Sequence, residues 1–138
     1  MKITIKYSHI GESINFLYNL SLKGKQSRHR TRFVKLLQEK LKGIAEEELE
    51  IVKEFSGVDE EGNPKKNEDD SFDIKDVKGF VTQQKELFEE EFVVEGGDHH
   101  GTLKTVKEIL LNYDREVSGQ TAEVFDYLCE RFEEGGEE

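Results

Sequence analysis

Cysteine, proline and long apolar runs are almost absent from this sequence. Cys129 is the only cysteine, so no intramolecular disulfide can form, which fits a reducing cytoplasm. Pro64 is the only proline, and it lies in a polar stretch rich in turn-forming residues. No apolar run approaches the length of a membrane span. The first ten residues alternate charged and apolar side chains and lack the apolar segment of a signal peptide.

Hydrophobic residues are scarce as well, at 34% of the chain against 37% for charged residues. A core built from so few apolar side chains is thin, and long helices that are polar on three sides suit it better than a thick sandwich. The length of 138 residues fits a single domain, residues 1–138. Within it we expect residues 56–72 to form an exposed polar connection and residues 134–138 to form a frayed tail.

Two short segments have the pattern of β-strands. Residues 2–8 place Ile3, Ile5 and Tyr7 on one face by strict alternation. Residues 91–95 are apolar at their centre and are followed by two glycines. Because a single short strand is unstable alone, we predict that the two segments pair in a small two-stranded sheet.

A long helix is predicted from about Ser27, as its N-cap, to about Phe55. Its residues recur at alternating spacings of 3 and 4, which is a coiled-coil-like pattern with one polar member. The members of this seam are Val34, Leu37, Leu41, Ile44, Glu48, Ile51 and Phe55. We therefore expect a mainly α (α+β) fold, with a long helical hairpin or small bundle beside the short sheet.

Shorter helices are predicted on either side of the long one. The first precedes Gly24, the second begins at Asp73 or Asp76, the third spans about Leu103 to Val117, and the fourth follows Ser118.

Charge is divided unevenly along the chain, whose formal net charge is −11. Up to Lys42 there are ten basic residues and two acidic ones, a net charge of +8, whereas the remainder has a net charge of −19. Such a division indicates that the two parts attract each other or are presented to different partners.

The stretch LKGKQSRHRTRFVK, residues 22–35, contains six cations and no acid. On a helix, Arg28, Arg32 and Lys35 share one face. Such a stripe can bind phosphates, but the acidic remainder repels a polyanion and aromatic residues for base stacking are not interleaved. We expect these cations to face acids of the same fold or of a second copy, or to bind a protein partner. The candidate partner-binding residues are Lys25, Arg28, Arg30, Arg32 and Lys35.

Runs of acidic residues favour an alternative function, in which the protein imitates nucleic acid and occupies the phosphate-binding channel of a host nucleic-acid machine. The candidate contact residues are Glu46, Glu47, Glu48, Glu68, Asp69, Asp70, Glu89, Glu90 and Glu91. Solvated helix faces and a solvated loop are the ordinary interpretation of such runs.

No catalytic constellation is visible, and we expect no catalytic residue, cofactor or enzymatic activity. A P-loop and a dinucleotide-binding fingerprint are both absent. Cys129 lies on an apolar helix face and is expected to be a small buried hydrophobe. Asp98, His99 and His100 are the only candidate metal cluster, for which a solvated loop is the expectation, since adjacent histidines point apart in extended chain and no second ligand pair has zinc-site spacing.

Several strings resemble a family of small phage and prophage proteins of Gram-positive bacteria. They are INFLYNLSLKGKQSRHRTRFVKLLQEKL, VDEEGNPK, FDIKD, EEFVVEGG and LKTVKEILL, and the resemblance extends from Ile3 to about Phe132. The family is catalogued as a domain of unknown function and is often encoded near tail and lysis genes. The resemblance implies a phage setting and the cytoplasm of an infected host, and it supplies no catalytic residue.

These observations predict a non-enzymatic phage accessory protein that acts through contact with a phage or host protein, without a membrane. Assembly into a homo-oligomer is a further expectation. The alternative is an acidic inhibitor of a host defence machine, in the manner of an anti-CRISPR nucleic-acid mimic. Direct nucleic-acid binding through residues 23–35 is the third hypothesis.

Overall fold

The computed structural model describes residues 1–136, which form five α-helices, a two-stranded sheet and one turn of 3₁₀ helix. In chain order the elements are β1 (Lys2–Lys6), α1 (Tyr7–Tyr18), α2 (Gly24–Ser56), α3 (Val77–Glu89), β2 (Glu91–Glu95), the 3₁₀ turn (Gly97–His99), α4 (His100–Leu111) and α5 (Gly119–Glu134). The predicted mainly α (α+β) fold is confirmed.

The predicted pairing of the two strands is also confirmed. β1 and β2 are antiparallel, with Ile3 opposite Val94 and Ile5 opposite Phe92. Ile3, Ile5 and Val94 are buried, so alternation in β1 places one face of the sheet in the core.

Backbone hydrogen bonds join β1 to two other segments. The N–H of Tyr7 donates to the carbonyl oxygen of Glu90 at 2.8 Å, just before β2. The N–H of Lys2 donates to the carbonyl oxygen of Gly135 at 3.2 Å, just after α5. This second bond lies in the predicted tail 134–138, of which residues 137–138 are outside the described part of the chain.

One apolar core joins the sheet to the helices. Fully buried members include Ile10 of α1, Phe33 of α2, Leu103 of α4, and Leu128 and Phe132 of α5. The rings of Phe33 and Phe132 meet edge to face, with centroids 5.5 Å apart.

Helix α2 spans 33 residues, which is about 50 Å at 1.5 Å per residue. Its first half packs against α1 and α4, and its second half packs against α3. Val34, Leu37 and Ile44 of the predicted seam are buried in the common core. The chain's own helices therefore cover the coiled-coil-like seam.

Helices α2 and α3 form an antiparallel hairpin. The amide of Gln84 donates to the carboxylate of Glu48 at 2.9 Å, and the rings of Phe55 and Phe80 lie 6.0 Å apart. The side chain of Asp76 accepts a hydrogen bond from Gly79 N–H at 3.0 Å and caps α3, which confirms one of the two predicted helix starts.

The connection between α2 and α3 is mostly exposed and contains two tight turns. Isolated bridges pair Val58 with Pro64 and Lys66 with Phe72. In the first turn, the carboxylate of Asp59 accepts hydrogen bonds from two backbone N–H groups of the following residues.

Helix α1 begins earlier than the pattern predicts. Tyr7 lies in α1 and not in a strand, because Tyr7, Ile10, Ile14 and Leu17 form one buried helical stripe. Alternation and helical period both place Tyr7 on the buried side, so the sequence pattern at this residue fits either element.

Two predicted ends of the other helices are wrong. Ser27 is not the N-cap of α2, which is Lys23, without a capping side-chain bond. α4 ends at Leu111 and does not reach Val117. There the carbonyl oxygen of Glu108 accepts both the backbone N–H of Asn112 at 3.1 Å and its side-chain amide at 2.9 Å.

Within the described residues, no helix combines the length and hydropathy needed to cross a membrane.

Candidate functional site: the outer face of α2

Four of the five predicted basic residues form one exposed band on the first half of α2. Lys25, Arg28, Arg32 and Lys35 are spaced 3, 4 and 3 residues apart, which places them on the same helical face, and each is exposed. We call these four residues the cation band. The helix presents it to solvent because the opposite face is occupied by the core.

The histidine inside this basic stretch points inward. His29 is buried, and its Nδ1 lies 2.7 Å from the hydroxyl oxygen of Thr105 in α4. That hydroxyl donates to the carbonyl oxygen of Gly101 at 3.0 Å, so the histidine Nδ1–H is the donor of the first bond. His29 therefore anchors the start of α2 to α4.

Arg30 is not part of the cation band. Its Nη1 donates to the carbonyl oxygens of Leu17 at 2.8 Å and of Leu20 at 2.7 Å, at the carboxyl end of α1. The Leu17 carbonyl oxygen also accepts the Leu20 N–H at 3.2 Å, so the guanidinium adds a charged donor to this turn. Its positive charge opposes the negative end of the α1 dipole. The prediction of Arg30 as a contact residue is therefore replaced by a structural role.

Lys40 is a second cation of α2 that the fold uses internally. Its ammonium lies 5.0 Å from the ring centroid of Tyr7 and 5.6 Å from that of Phe92. A hydrogen bond with Tyr7 raises the pKa of Lys40 above its usual value.

The cation band has no acidic partner among residues 1–136. The described ion pairs of lysine and arginine there involve Lys53, Lys75 and Arg131, each with an acid within three residues in sequence. The predicted pairing of these cations with acids of the same chain is thus not seen as an ion pair in the described residues. Pairing with a second copy stays a prediction.

The nine predicted acidic residues are divided among different surroundings. Glu48 is half-buried and accepts the Gln84 hydrogen bond, and Glu91 belongs to β2 opposite Lys6. In the run Glu68-Asp69-Asp70, the carboxylate of Asp69 accepts hydrogen bonds from the hydroxyl (2.5 Å) and the N–H (3.1 Å) of Ser71. These bonds lower the pKa of Asp69, the hydroxyl bond most strongly.

Glu47 and Glu90 come together, and two acids outside the predicted runs join them. Glu47 and Glu50 of α2 line an open groove with Glu86 of α3 and with Glu90. Its volume is about 320 Å³. The spacings 47–50 and 86–90 are helical neighbours, so this signal was present in the sequence.

A histidine–carboxylate pair lies elsewhere, at the contact of α1 with α5. The Nδ1 of His9 is hydrogen-bonded to the carboxylate of Glu12, and its ring stacks 4.1 Å from that of Tyr127. The hydroxyl oxygen of Tyr127 accepts the Lys6 N–H at 2.9 Å, and burial raises its pKa. The geometry of these groups is that of a contact between helices, and sequence reasoning did not single it out.

The remaining candidates for chemistry are dispersed. Asp98 and His99 lie in the 3₁₀ turn and His100 begins α4, so the predicted loop is helical. Within residues 1–136, no group of three or more histidine, cysteine, aspartate or glutamate side chains is placed to hold a metal ion. Cys129 is half-buried, and burial raises the pKa of its thiol.

Scans against models of protein families, curated proteins and solved structures find no match to this chain.

Proposed function

We propose that this chain is a non-enzymatic accessory protein of a phage that acts by protein–protein contact in the host cytoplasm. The observation that carries the contact is the cation band, which is exposed and without an acidic partner in the described residues. The phage setting is supported by the sequence resemblance described above. A surface that keeps its charges unpaired and rigidly spaced on a long helix is suited to a partner with a row of carboxylates.

Charge reversal at the centre of the band tests this function. We expect Arg28→Glu with Arg32→Glu to weaken capture of the partner from infected cells at least about tenfold, which corresponds to about 1.4 kcal/mol. The partner is identified by mass spectrometry of proteins retained on immobilised protein. Phage structural proteins indicate a role in assembly, and host defence proteins indicate a role against the host.

The matched control is Lys78→Glu with Lys85→Glu on α3. These two lysines are exposed, and the substitution changes net charge by the same amount. Loss of capture in the α2 variant with retention in the control supports the proposal. Equal capture by wild type and by the Arg28/Arg32 variant contradicts it.

The acidic groove between α2 and α3 favours a second candidate function, inhibition of a host nuclease by imitation of nucleic acid. Four carboxylates line this groove, two on α2, one on α3 and one at Glu90 just after α3, and Ile51 and Leu87 also line it. Closely spaced negative charge on a rigid support is what a phosphate-binding channel selects.

A competition assay tests this second function. We expect the protein to displace DNA or RNA from a host nuclease at low salt, and neutralisation of the groove to abolish displacement. The groove variant carries Glu→Gln at 47, 50, 86 and 90, and the control carries Glu→Gln at 60, 61, 68 and 116. If both variants displace nucleic acid equally, or if the wild type never does, the groove is not the site.

A further inference from the structure

The outward face of α2 carries an ordered row of charges along the whole helix. Eight exposed residues recur at spacings of 3 or 4 residues and so lie along one side of the helix. Their signs, from the amino end, are three positive, one negative, one positive and three negative. The members of this charged row are Arg28, Arg32, Lys35, Glu39, Lys42, Glu46, Glu50 and Glu54.

The signs of the charged row are reversed about the middle of the helix. α2 spans Gly24–Ser56, and its midpoint is residue 40. The row divides into four pairs of opposite charge, and the midpoint of each pair falls at 40.5 or 41, within one position of the helix midpoint. The opposed pairs are Arg28 with Glu54, Arg32 with Glu50, Lys35 with Glu46, and Glu39 with Lys42.

Like charges are neighbours at the two ends of this row. The first turn of α2 also has no acid to favour its dipole, whereas its last turn has one base, Lys53. Arg28–Arg32, Glu46–Glu50 and Glu50–Glu54 are like-charge neighbours four residues apart, which destabilise a helix. Three pairs of opposite charge at the centre of the row, Lys35–Glu39, Glu39–Lys42 and Lys42–Glu46, offset part of this repulsion. The ion pair between Lys53 and Glu50 at 3.5 Å offsets a further part.

An antiparallel second copy of α2 relieves the repulsion between like charges at both ends of the row. It places each cation of the row opposite an acid of the other chain, and it opposes the two helix dipoles. The contact is isologous, because a two-fold axis through the helix midpoint uses the same surface on both copies. Lys25 extends beyond the last acid of the row and has no counterpart.

We propose that the charged row of α2 is a self-complementary interface, and that its occupant is a second copy of this chain in antiparallel orientation. This inference rests on the proposed function, in which the outer face of α2 is a protein contact surface, and it adds a second copy of this chain as a protein that the surface binds. The pairs stay close to solvent, so association is weak and decreases with salt.

The test uses a charge exchange between two residues that cannot touch within one chain. Arg32 and Glu50 are 18 positions apart, which is about 27 Å along a helix. In the antiparallel dimer they face each other twice. Arg32→Glu, Glu50→Arg and the double variant are compared with wild type by sedimentation velocity, with far-UV circular dichroism to check folding. Arg32→Glu also removes a like-charge neighbour of Arg28, so the folded monomer is not impaired.

We expect wild type to form dimers at about 0.05 M salt and to dissociate at about 0.5 M, where screening is strong. Each single variant should weaken association at least about tenfold, because a pair of opposite charges becomes a pair of like charges. The double variant should return to within about threefold of wild type, since each pair is restored with its signs exchanged. Lys78→Glu with Lys85→Glu should leave the dimer unchanged.

Other outcomes overturn the inference. A wild type that stays monomeric up to about 0.5 mM at low salt has no such interface. A dimer that tolerates Arg32→Glu, or one that the double exchange does not restore, associates through another surface. If wild type is monomeric while Arg28→Glu with Arg32→Glu still abolishes partner capture, the proposed function stands and only the dimer fails.

Discussion

Phe132→Ala is expected to lower the free energy of unfolding by about 3–5 kcal/mol, the usual cost of removing a buried phenylalanine ring. Phe132 is fully buried on α5, and its ring contacts that of Phe33 on α2. The substitution leaves a cavity where these two helices meet, and the closely packed surroundings fill it only in part. Urea unfolding followed by circular dichroism measures the change.

The matched control is Phe72→Ala in the connection between α2 and α3. Phe72 is 41% exposed, and its ring has a lysine ammonium, that of Lys66, 5.8 Å away. Loss of such an exposed contact is expected to cost less than about 1 kcal/mol. If the two variants lost the same free energy of unfolding, the contact between α2 and α5 would contribute no more to stability than an exposed ring does.

Arg30→Met is expected to lower the free energy of unfolding by about 2 kcal/mol, within the range for hydrogen bonds that involve a charged group. Methionine retains most of the aliphatic stem but cannot donate to the carbonyl oxygens of Leu17 and Leu20. The carboxyl end of α1 then loses its cap and a favourable charge at its dipole. Thermal or urea unfolding measures the effect.

The control for this prediction is Arg28→Met, two residues earlier in the same helix. Arg28 is exposed and makes no described hydrogen bond or ion pair, so its stability change is expected within about 0.5 kcal/mol. In the capture assay the order should be reversed: Arg28→Met should weaken capture more than Arg30→Met, because Arg28 is the contact residue. Equal destabilisation by both substitutions would contradict the distinction between a structural arginine and an exposed one.

The strands and most helices were predictable because their signals are local. Alternation at Ile3 and Ile5, the apolar centre of β2 and the spacing of Val34 and Leu37 each follow from which face of an element is buried. The start of α1 was not predictable in this way. A buried Tyr7 fits both the two-residue alternation of a strand and the 3.6-residue period of a helix. The end of α4 at Leu111 was not predictable either, since Tyr113 and Val117 continue the apolar spacing of the helix beyond its end.

The sequence predicted which types of charged residue form the candidate site, but not which of them lie together on one surface. Arg30 precedes Val34 by four residues and so continues the buried seam, a signal that separates it from Arg28 and Arg32. Its partner, the end of α1, is supplied only by the tertiary fold. The acids were sought as adjacent runs, but adjacent residues on a helix point in different directions. Glu50 and Glu86 were missed for that reason.

β1 pairs with parts of the chain that are distant in sequence, and this determines how late in folding the strand can be added. Lys2 pairs across the sheet with Glu95 and bonds to Gly135, so β1 is joined to segments that lie 93 and 133 residues further along the chain. Pairings of such large sequence separation are formed late and slowly, since the intervening loop must be closed first. The sheet face that carries Ile3 and Ile5 is buried only when those distant contacts have formed, so β1 is among the last elements of this fold to become ordered.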